Sequence, residues 1–359
     1  MLGLLALGLT SVMIYTLVKN ALIGKQLTSH DTYLGTVELL VPVTQDSHFF
    51  MKEWQDSLAN FHSQPAQLKI HFLIEGHRPE AHDWSSLHDR IPFVEVHHFL
   101  TKPESVESAT WMIDQVKLKV KGQVVVIGDP EIVPTEDAFI SLSKIVTDKN
   151  KPYFALPQTA RLNVLGEAIA VLNPNLAFAS VFGFRRIRKN ISHPLMGLTH
   201  GWMGMDFKTF EALNFGDYRI PSWKHALSYQ WDRENLTYLL AFGEKNLIRY
   251  YNNDVKSQLL EMKANWKYLF DKVDRNGLWL FLVALFLWSF PVLCFFTHPY
   301  WSLASLGLLI FYRFFSKIVF QESWLALVLH LVGCLAWIGT LGWIGVEALK
   351  QKYGSKTSA

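Results

Sequence analysis

The segment that decides the fold is Val124-Val125-Val126-Ile127-Gly128-Asp129-Pro130-Glu131-Ile132-Val133-Pro134. Its first four residues are apolar and β-branched, which predicts a buried strand that ends at Gly128. Asp129 and Glu131 follow the carboxyl end of this strand, where open α/β sheets bind their ligands. Carboxylates are hard oxygen ligands that suit Mg²⁺ or Mn²⁺ beside a diphosphate. Asp-Pro is also common in turns, and the segment taken alone favours a solvated turn over a metal site.

Strand and helix signals alternate through the residues before this segment. The predicted strands are residues 37–43, 68–74, 91–96 and 123–127, and helices are predicted around Trp54 and over residues 106–120. This alternation predicts an α/β fold with a mainly parallel sheet and helices on both faces. Right-handed crossovers would then place Val43, Glu75 and Asp129 at the same edge of the sheet.

Three segments after residue 134 carry further candidate residues. A helix is predicted over residues 136–146 and another over 229–242, with Asp232 and Glu234 near the start of the second. These two acids either have a chemical role or cap the helix, because negative charge suits a helix N-terminus. The basic cluster Arg185-Arg186-Ile187-Arg188-Lys189 forms either a solvated face or a contact with anionic headgroups or a diphosphate.

Composition excludes some classes of function. The chain has 359 residues, half of them apolar, and a net charge of +3. We expect no nucleic-acid partner, because no run of Lys and Arg is interleaved with aromatic residues. Cys294 and Cys334 both lie in apolar segments, which indicates neither a disulfide nor a metal ligand and suits a reducing compartment.

Apolar residues concentrate at the two ends of the chain. Residues 1–18 carry no charge and are followed by Lys19 and Lys25, which predicts a retained anchor with the next domain on the cytoplasmic side. Residues 278–296 and 324–346 predict two further spans. Residues 302–320 contain Arg313 and Lys317, so this segment either spans with snorkelling side chains or lies along the interface.

We therefore predict four regions and a membrane location. The regions are a transmembrane anchor at residues 1–24, an α/β domain at 27–276, a membrane region with two or three helices at 277–349, and a polar tail at 350–359. Such a chain would be a multi-pass protein of a membrane, with a bacterial plasma membrane favoured and the α/β domain in the cytoplasm.

These features resemble glycosyltransferase family 2, whose members have the Rossmann-like GT-A fold. The layout is similar to the membrane-bound branch that includes ceramide glucosyltransferase and the hopanoid-associated glycosyltransferases. The resemblance rests on the opening strand 37–43 with its proline, on Glu75, on Asp129-Pro130-Glu131 followed by Asp137-Ala138-Phe139, on residues 201–213, on Asp232 before Gly243, and on Trp266.

The resemblance implies a role for each of these residues. Glu75 would contact the nucleotide base, and Asp129 and Glu131 would hold Mg²⁺ or Mn²⁺ against the donor diphosphate. Asp232, or failing that Glu234, would be the general base. The remaining implied contacts are Gly201 and Trp202 on the acceptor side, and Trp266 and Lys263 at the nucleotide sugar.

The implied activity is an inverting transfer of a sugar from a nucleotide-diphosphate sugar to a lipid or lipid-linked acceptor at the membrane. The alternative is a non-catalytic membrane protein with a degenerate GT-A domain that binds a nucleotide or a partner. The alternative is favoured by Met262-Lys263-Ala264-Asn265-Trp266, where only the tryptophan of the family's (Gln/Arg)-x-x-Arg-Trp motif remains.

Overall fold

A computed structural model describes the chain in separate stretches. They are residues 2–23, 25–26, 35–45, 47, 50–62, 66–76, 87–103, 106–149, 152–160, 201–215, 223–224, 239–243, 246–250, 256, 258–260, 262–263, 266, 270, 275–293, 295, 297–320, 324–325 and 329–354.

The described residues divide into two compact units. We call one the sheet unit; it contains the described residues of 20–160 and 201–250. The other is the helical unit, with residues 2–19 and the described residues from 256 onwards.

Eleven strands, eight α-helices and one short 3-10 helix (Lys117–Lys119) have defined bounds in these stretches. The strands are β1 (Lys25–Gln26), β2 (Val37–Val43), β3 (Leu68–Glu75), β4 (Val94–Phe99), β5 (Val124–Ile127), β6 (Ile132–Pro134), β7 (Tyr153–Leu156), β8 (Gln158–Thr159), β9 (Trp202–Asp206), β10 (Leu239–Phe242) and β11 (Leu247–Arg249). The helices are α1 (Leu2–Ile23), α2 (Met51–Leu58), α3 (Ser108–Val116), α4 (Glu136–Lys149), α5 (Phe207–Ala212), α6 (Arg275–Leu293), α7 (Pro299–Phe320) and α8 (His330–Gly354).

The sheet unit is built on an eight-stranded, mainly parallel sheet, as predicted. The spatial order is β1-β10-β7-β9-β5-β2-β3-β4, and only β9 among these strands runs antiparallel to its neighbours. Strands β6, β11 and β8 form a second, three-stranded sheet. This α/β arrangement is consistent with the GT-A fold that the resemblance implies.

The strand register brings the predicted site residues to one edge. Leu40 pairs with Ile127 of β5, and Val43 pairs with Ile74 of β3. The Gly128 N–H continues the ladder by donating to the Leu40 carbonyl at 3.0 Å. Val43, Glu75 and Asp129 therefore follow parallel strands at the same carboxyl edge, which confirms the predicted placement.

Helices cover both faces of this sheet. Alternate residues of β2 and β3, such as Val41 and Phe72, share one buried core with Trp54 of α2 and Phe139 of α4. The residues between them, such as Leu40, are also buried, and α3 packs over β2 and β3 on that second face. Strands that are buried on both faces have continuous apolar sequences, which explains why β2 and β5 could be predicted from composition.

The structure explains why three predicted elements differ from the observed ones. Strand β4 begins three residues late, because Ile91 accepts a turn hydrogen bond from the Val94 N–H at 3.0 Å. Helix α3 begins at Ser108, since the Glu107 carboxylate caps it by accepting from the Ala109 and Thr110 N–H groups. The helix predicted over 229–242 is wrong at its end, where Leu239–Phe242 is a strand that pairs with β7.

The described helices of the helical unit pack through aromatic side chains. The ring of Trp288 on α6 lies 6.4 Å from that of Tyr312 on α7 and 6.5 Å from that of His330 on α8. Helices α6, α7 and α8 overlap the apolar segments predicted from the sequence, with shifted bounds. Within the described residues, no helix combines the length and the apolarity needed to cross a membrane, so the predicted transmembrane spans are not supported.

Candidate functional site

The two predicted carboxylates lie on a tight turn. Residues Asp129 to Ile132 form a β-turn in which the Ile132 N–H donates to the Asp129 carbonyl at 3.1 Å. Asp in the first position and Pro in the second are the residues that such a turn favours. Asp129 and Pro130 are nevertheless buried. The expectation of a turn is confirmed, and the expectation that it is solvated is wrong.

Neighbouring elements hold this turn in place. The Trp54 Nε1–H donates to the Pro130 carbonyl at 2.9 Å, and the Tyr250 N–H donates to the Glu131 carbonyl at 2.9 Å. The main-chain carbonyls of all three residues 129–131 thus accept hydrogen bonds. A backbone held from both sides presents its carboxylates in a fixed geometry, which suits a site that binds a ligand.

Asp129 forms a buried ion pair. Its Oδ2 accepts from the Lys224 ammonium at 2.6 Å and from the Gly201 N–H at 3.0 Å. Lys224 is 5 % exposed and Asp129 8 %, so both charges are buried and stabilise each other. Sequence reasoning did not find Lys224, because nothing in its local sequence distinguishes it from a surface lysine.

Glu131 also pairs with a buried cation. The Arg249 Nε and Nη2 both donate to Glu131 Oε2, at 3.0 and 2.8 Å, and Arg249 is only 1 % exposed. Antiparallel pairing of β11 with β6 sets Arg249 opposite Ile132, directly after Glu131. Sequence reasoning did not find Arg249 either, because it lies 118 residues away from Glu131 in the chain.

Glu75 ends β3 in a network of donors. Its carboxylate accepts from the Ser108 hydroxyl at 2.6 Å and from the Gln45 N–H at 3.0 Å, and the Lys102 ammonium lies 3.4 Å away. Burial by itself raises the pKa of this carboxyl, but the two hydrogen bonds and the lysine charge outweigh it and the net pKa is lowered. Glu75 is therefore an anion at neutral pH.

Gly201 and Trp202, predicted on the acceptor side, lie beside the Asp129 turn. A Cβ on Gly201 would come 2.6 Å from the Ala155 carbonyl oxygen, so glycine is needed for the close approach that brings its N–H to Asp129. Trp202 is fully buried and its indole faces Gly128. The acceptor-side role of both residues stays a prediction.

The other predicted residues belong to the helical unit or lie outside the described stretches. Asp232, Glu234 and the basic residues 185–189 lie outside the described residues. Lys263 and Trp266 belong to the helical unit, where the Lys263 ammonium lies 2.5 Å from Glu347 Oε1 and the Trp266 Nε1–H donates to the Trp337 carbonyl at 3.1 Å. Their predicted part in nucleotide-sugar binding stays a prediction.

Asp129 and Glu131 supply the hard oxygen atoms that Mg²⁺ and Mn²⁺ prefer, so both predicted metal residues are chemically suitable ligands for such an ion. In the structure, oxygen atoms of both carboxylates face basic groups. A divalent ion would therefore compete with Lys224 and Arg249 for those oxygens. Among the described residues, each of these two acids is therefore matched by one base.

No family model and no curated protein matches this chain. Similar solved structures include the mannosyltransferase PcManGT from Pyrobaculum calidifontis in complex with GDP-Man and Mn²⁺, at 11% identity over 99% of each chain and a TM-score of 0.48. They also include TarS of S. aureus, at 9% identity over 77% of this chain and 49% of that chain, with a TM-score of 0.42.

Proposed function

We propose that the chain is an inverting, membrane-associated glycosyltransferase that moves a sugar from a nucleotide-diphosphate sugar to a lipid or lipid-linked acceptor. The observation that carries this proposal is the buried Asp129 carboxylate on a rigid turn after β5. It lies at the same edge of a parallel sheet as Glu75, where α/β sheets bind their ligands.

The charges at this edge suit a donor diphosphate. Lys224 and Arg249 are buried cations beside Asp129 and Glu131. If each cation turned from its carboxylate to a phosphate oxygen, the two carboxylates would become available to Mg²⁺ or Mn²⁺. The diphosphate and the ion bring opposite charges, so the balance between these acids and bases would be kept. A bound ion would supply neutralisation of the leaving diphosphate.

The remaining roles concern the nucleotide base and the acceptor. Glu75, an anion held by Ser108 and Gln45, would accept hydrogen bonds from the nucleotide base. Asp232, or failing that Glu234, would take the proton of the acceptor hydroxyl as general base. Attack by that hydroxyl in a single displacement would invert the anomeric centre. Gly201 and Trp202 would lie on the acceptor side.

Exposed apolar side chains support a lipid acceptor and a membrane location. Several large apolar residues of the helical unit are more than half exposed, among them Leu4, Tyr15, Tyr300, Leu303 and Ile318. Apolar surface of this kind is typical of contact with a membrane or with another protein. Lys19 and Lys25 favour the cytoplasmic face of a bacterial plasma membrane.

Transfer of a labelled sugar into membrane lipid tests the proposal. Asp129→Asn and Asp232→Asn are each expected to lower the rate by about 100-fold or more, the contribution typical of a general base or a charged active-site group. The exposed Asp89→Asn is the matched control and should keep the wild-type rate. Unchanged transfer by both site variants would overturn the site assignment.

The ion pairs also favour a second candidate function. Because Asp129 and Glu131 already have cationic partners, the domain could bind a nucleotide without holding a metal ion or turning over. Calorimetric titration with nucleotide sugars separates the two candidates. An enzyme is expected to bind more tightly with Mg²⁺ or Mn²⁺ present and to transfer sugar. Binding that is indifferent to the ion, without transfer, supports the non-catalytic candidate.

A further inference from the structure

A second group of side chains with metal-ligand chemistry lies away from the Asp129 turn. We call His71, Glu95 and His97 the histidine cluster. His71 lies in the middle of β3, opposite Glu95 of β4, and His97 follows two residues later on β4. Residues two apart on a strand share a face, so all three side chains project from the face that carries α3. His71 precedes Glu75 by four residues, about 13 Å along the strand.

The ligand atoms of the histidine cluster converge on one point. His71 Nδ1 lies 3.2 Å from His97 Nε2 and 3.3 Å from Glu95 Oε2, and the last two atoms are 3.7 Å apart. A tetrahedral zinc ion with bonds of about 2.0–2.1 Å to nitrogen and oxygen sets its ligand atoms about 3.3 Å apart. The three atoms therefore already occupy the spacing of three corners of such a tetrahedron.

The surroundings of the histidine cluster orient these atoms. His71 Nε2 lies 3.0 Å from Glu38 Oε2, and the other oxygen of Glu38 accepts from the Lys121 N–H at 3.0 Å. A carboxylate on the far ring nitrogen of a histidine is the usual second partner of a metal-binding imidazole, because it directs the lone pair of the near nitrogen to the metal. Lys69 lies 3.3 Å from Oε1 of Glu95, so Oε2 is the oxygen that faces the histidines.

With Nε2–H donated to Glu38, His71 Nδ1 is an electron-pair donor that faces a carboxylate oxygen of Glu95. His97 Nε2 either carries the ring proton of a neutral imidazole or is a third electron-pair donor. A single proton among these three atoms can bond well to only one partner at a time, whereas a metal ion satisfies all three.

We propose that the histidine cluster binds one Zn²⁺ ion, with His71 Nδ1, His97 Nε2 and Glu95 Oε2 as ligands and a water molecule in the fourth position. The site is open to ions, because the Glu95 side chain is 37 % exposed. Two nitrogens and one carboxylate oxygen in a tetrahedral arrangement suit zinc better than Mg²⁺, which requires an octahedron of oxygens.

The ion would stabilise the edge of the sheet by linking neighbouring strands, and it would not be part of the sugar-transfer site. Strand β4 is the last strand in the sheet order and pairs only with β3 among the described strands. A zinc ion that joins His71 to Glu95 and His97 would tie this edge strand to β3, and Glu38 would extend the tie to β2. Binding to the folded state alone would raise the stability of the protein.

The test uses the untagged full chain after treatment with a chelator, titrated with Zn²⁺ in a calorimeter and with Co²⁺ in a visible spectrometer. We expect one Zn²⁺ per chain, a higher Tm with Zn²⁺, and the intense absorption bands of tetrahedral Co²⁺. Glu38→Gln should weaken Zn²⁺ binding by about 10- to 100-fold. His97→Ala, at a position that is only partly buried, should weaken it further and abolish the Co²⁺ bands.

The matched control is His98→Ala, which removes the exposed neighbouring histidine on the other face of β4 and should leave all three measurements at wild-type values. Equal Zn²⁺ affinity in wild type and His97→Ala would overturn the proposal, since the chain has 14 histidines and zinc would then be bound elsewhere. Folded wild-type protein that binds no Zn²⁺ would overturn it too, and would assign the convergence to a hydrogen bond between the two histidines.

Discussion

The Lys224 ammonium lies 2.6 Å from Oδ2 of Asp129, and both side chains are buried at the carboxyl edge of the sheet. This ion pair joins residues that are 95 positions apart in the chain. Removing one member of a buried pair leaves the other charge without a partner in a medium of low polarity, which costs much more than the pair contributes.

Asp129→Asn is expected to lower the free energy of unfolding by about 3–5 kcal/mol. Unfolding in urea provides the measurement. The double variant Asp129→Asn/Lys224→Met should regain part of this loss, because it also removes the buried ammonium that had lost its carboxylate, while sugar transfer stays lost. If the double variant loses the sum of the unfolding free energies lost by the two single variants, the two residues do not interact directly. Comparing the single and double variants also separates a folding defect from a defect in catalysis.

Arg249→Lys is expected to destabilise the protein by about 1–3 kcal/mol, since lysine cannot donate two hydrogen bonds from a planar group to Glu131 Oε2. The exposed Arg90→Lys is the matched control and should change the free energy of unfolding by less than about 0.5 kcal/mol. Equal changes in the free energy of unfolding for Arg249→Lys and Arg90→Lys would mean that the two hydrogen bonds to Glu131 do not stabilise the protein.

Glu75 should make the stability depend on acid pH. The folded state lowers the pKa of this carboxyl below its ordinary value of 4.5, so ionised Glu75 stabilises the fold above that pH. The difference in unfolding free energy between wild type and Glu75→Gln should be constant near neutral pH and shrink as the pH falls below about 4.5. Ser108→Ala should reduce the difference, because it removes a donor to the carboxylate. A difference that grows on acidification would contradict the assignment.

Gly128→Ala should destabilise the protein by about 1–3 kcal/mol through overpacking. The added Cβ would lie 2.5 Å from Trp202 Nε1 and 2.8 Å from two further atoms of the indole, which is a rigid ring. Trp202→Leu in the same chain should relieve the clash, so the double variant should lose less than the sum of the single variants. Gly307→Ala is the control for the added methyl group, because among the described residues its Cβ would meet no atom within 4 Å beyond its chain neighbours and the backbone of its own helix.

Much of the sheet could be predicted because its strands are buried on both faces. Val37–Val43 has the predicted bounds, and β3 and β5 differ from prediction by one residue. Local patterns fail where a short apolar run suits either class of element. Leu239–Phe242 was assigned to a helix, but parallel pairing with β7 makes it a strand. An apolar tetrapeptide has no period of its own, so the neighbouring strand decides its conformation.

The sequence by itself determined that an apolar strand ends in Asp129 and Glu131, and that Glu75 ends a parallel strand at the same edge. Such statements need only burial and residue order, which the local pattern of apolar side chains carries. Only the tertiary structure decided that Lys224 and Arg249 pair with these carboxylates, and that His71, Glu95 and His97 converge. These partners come from distant parts of the chain. The local sequence does not identify which charged side chains will pair, because the pairing is decided when folding buries both together.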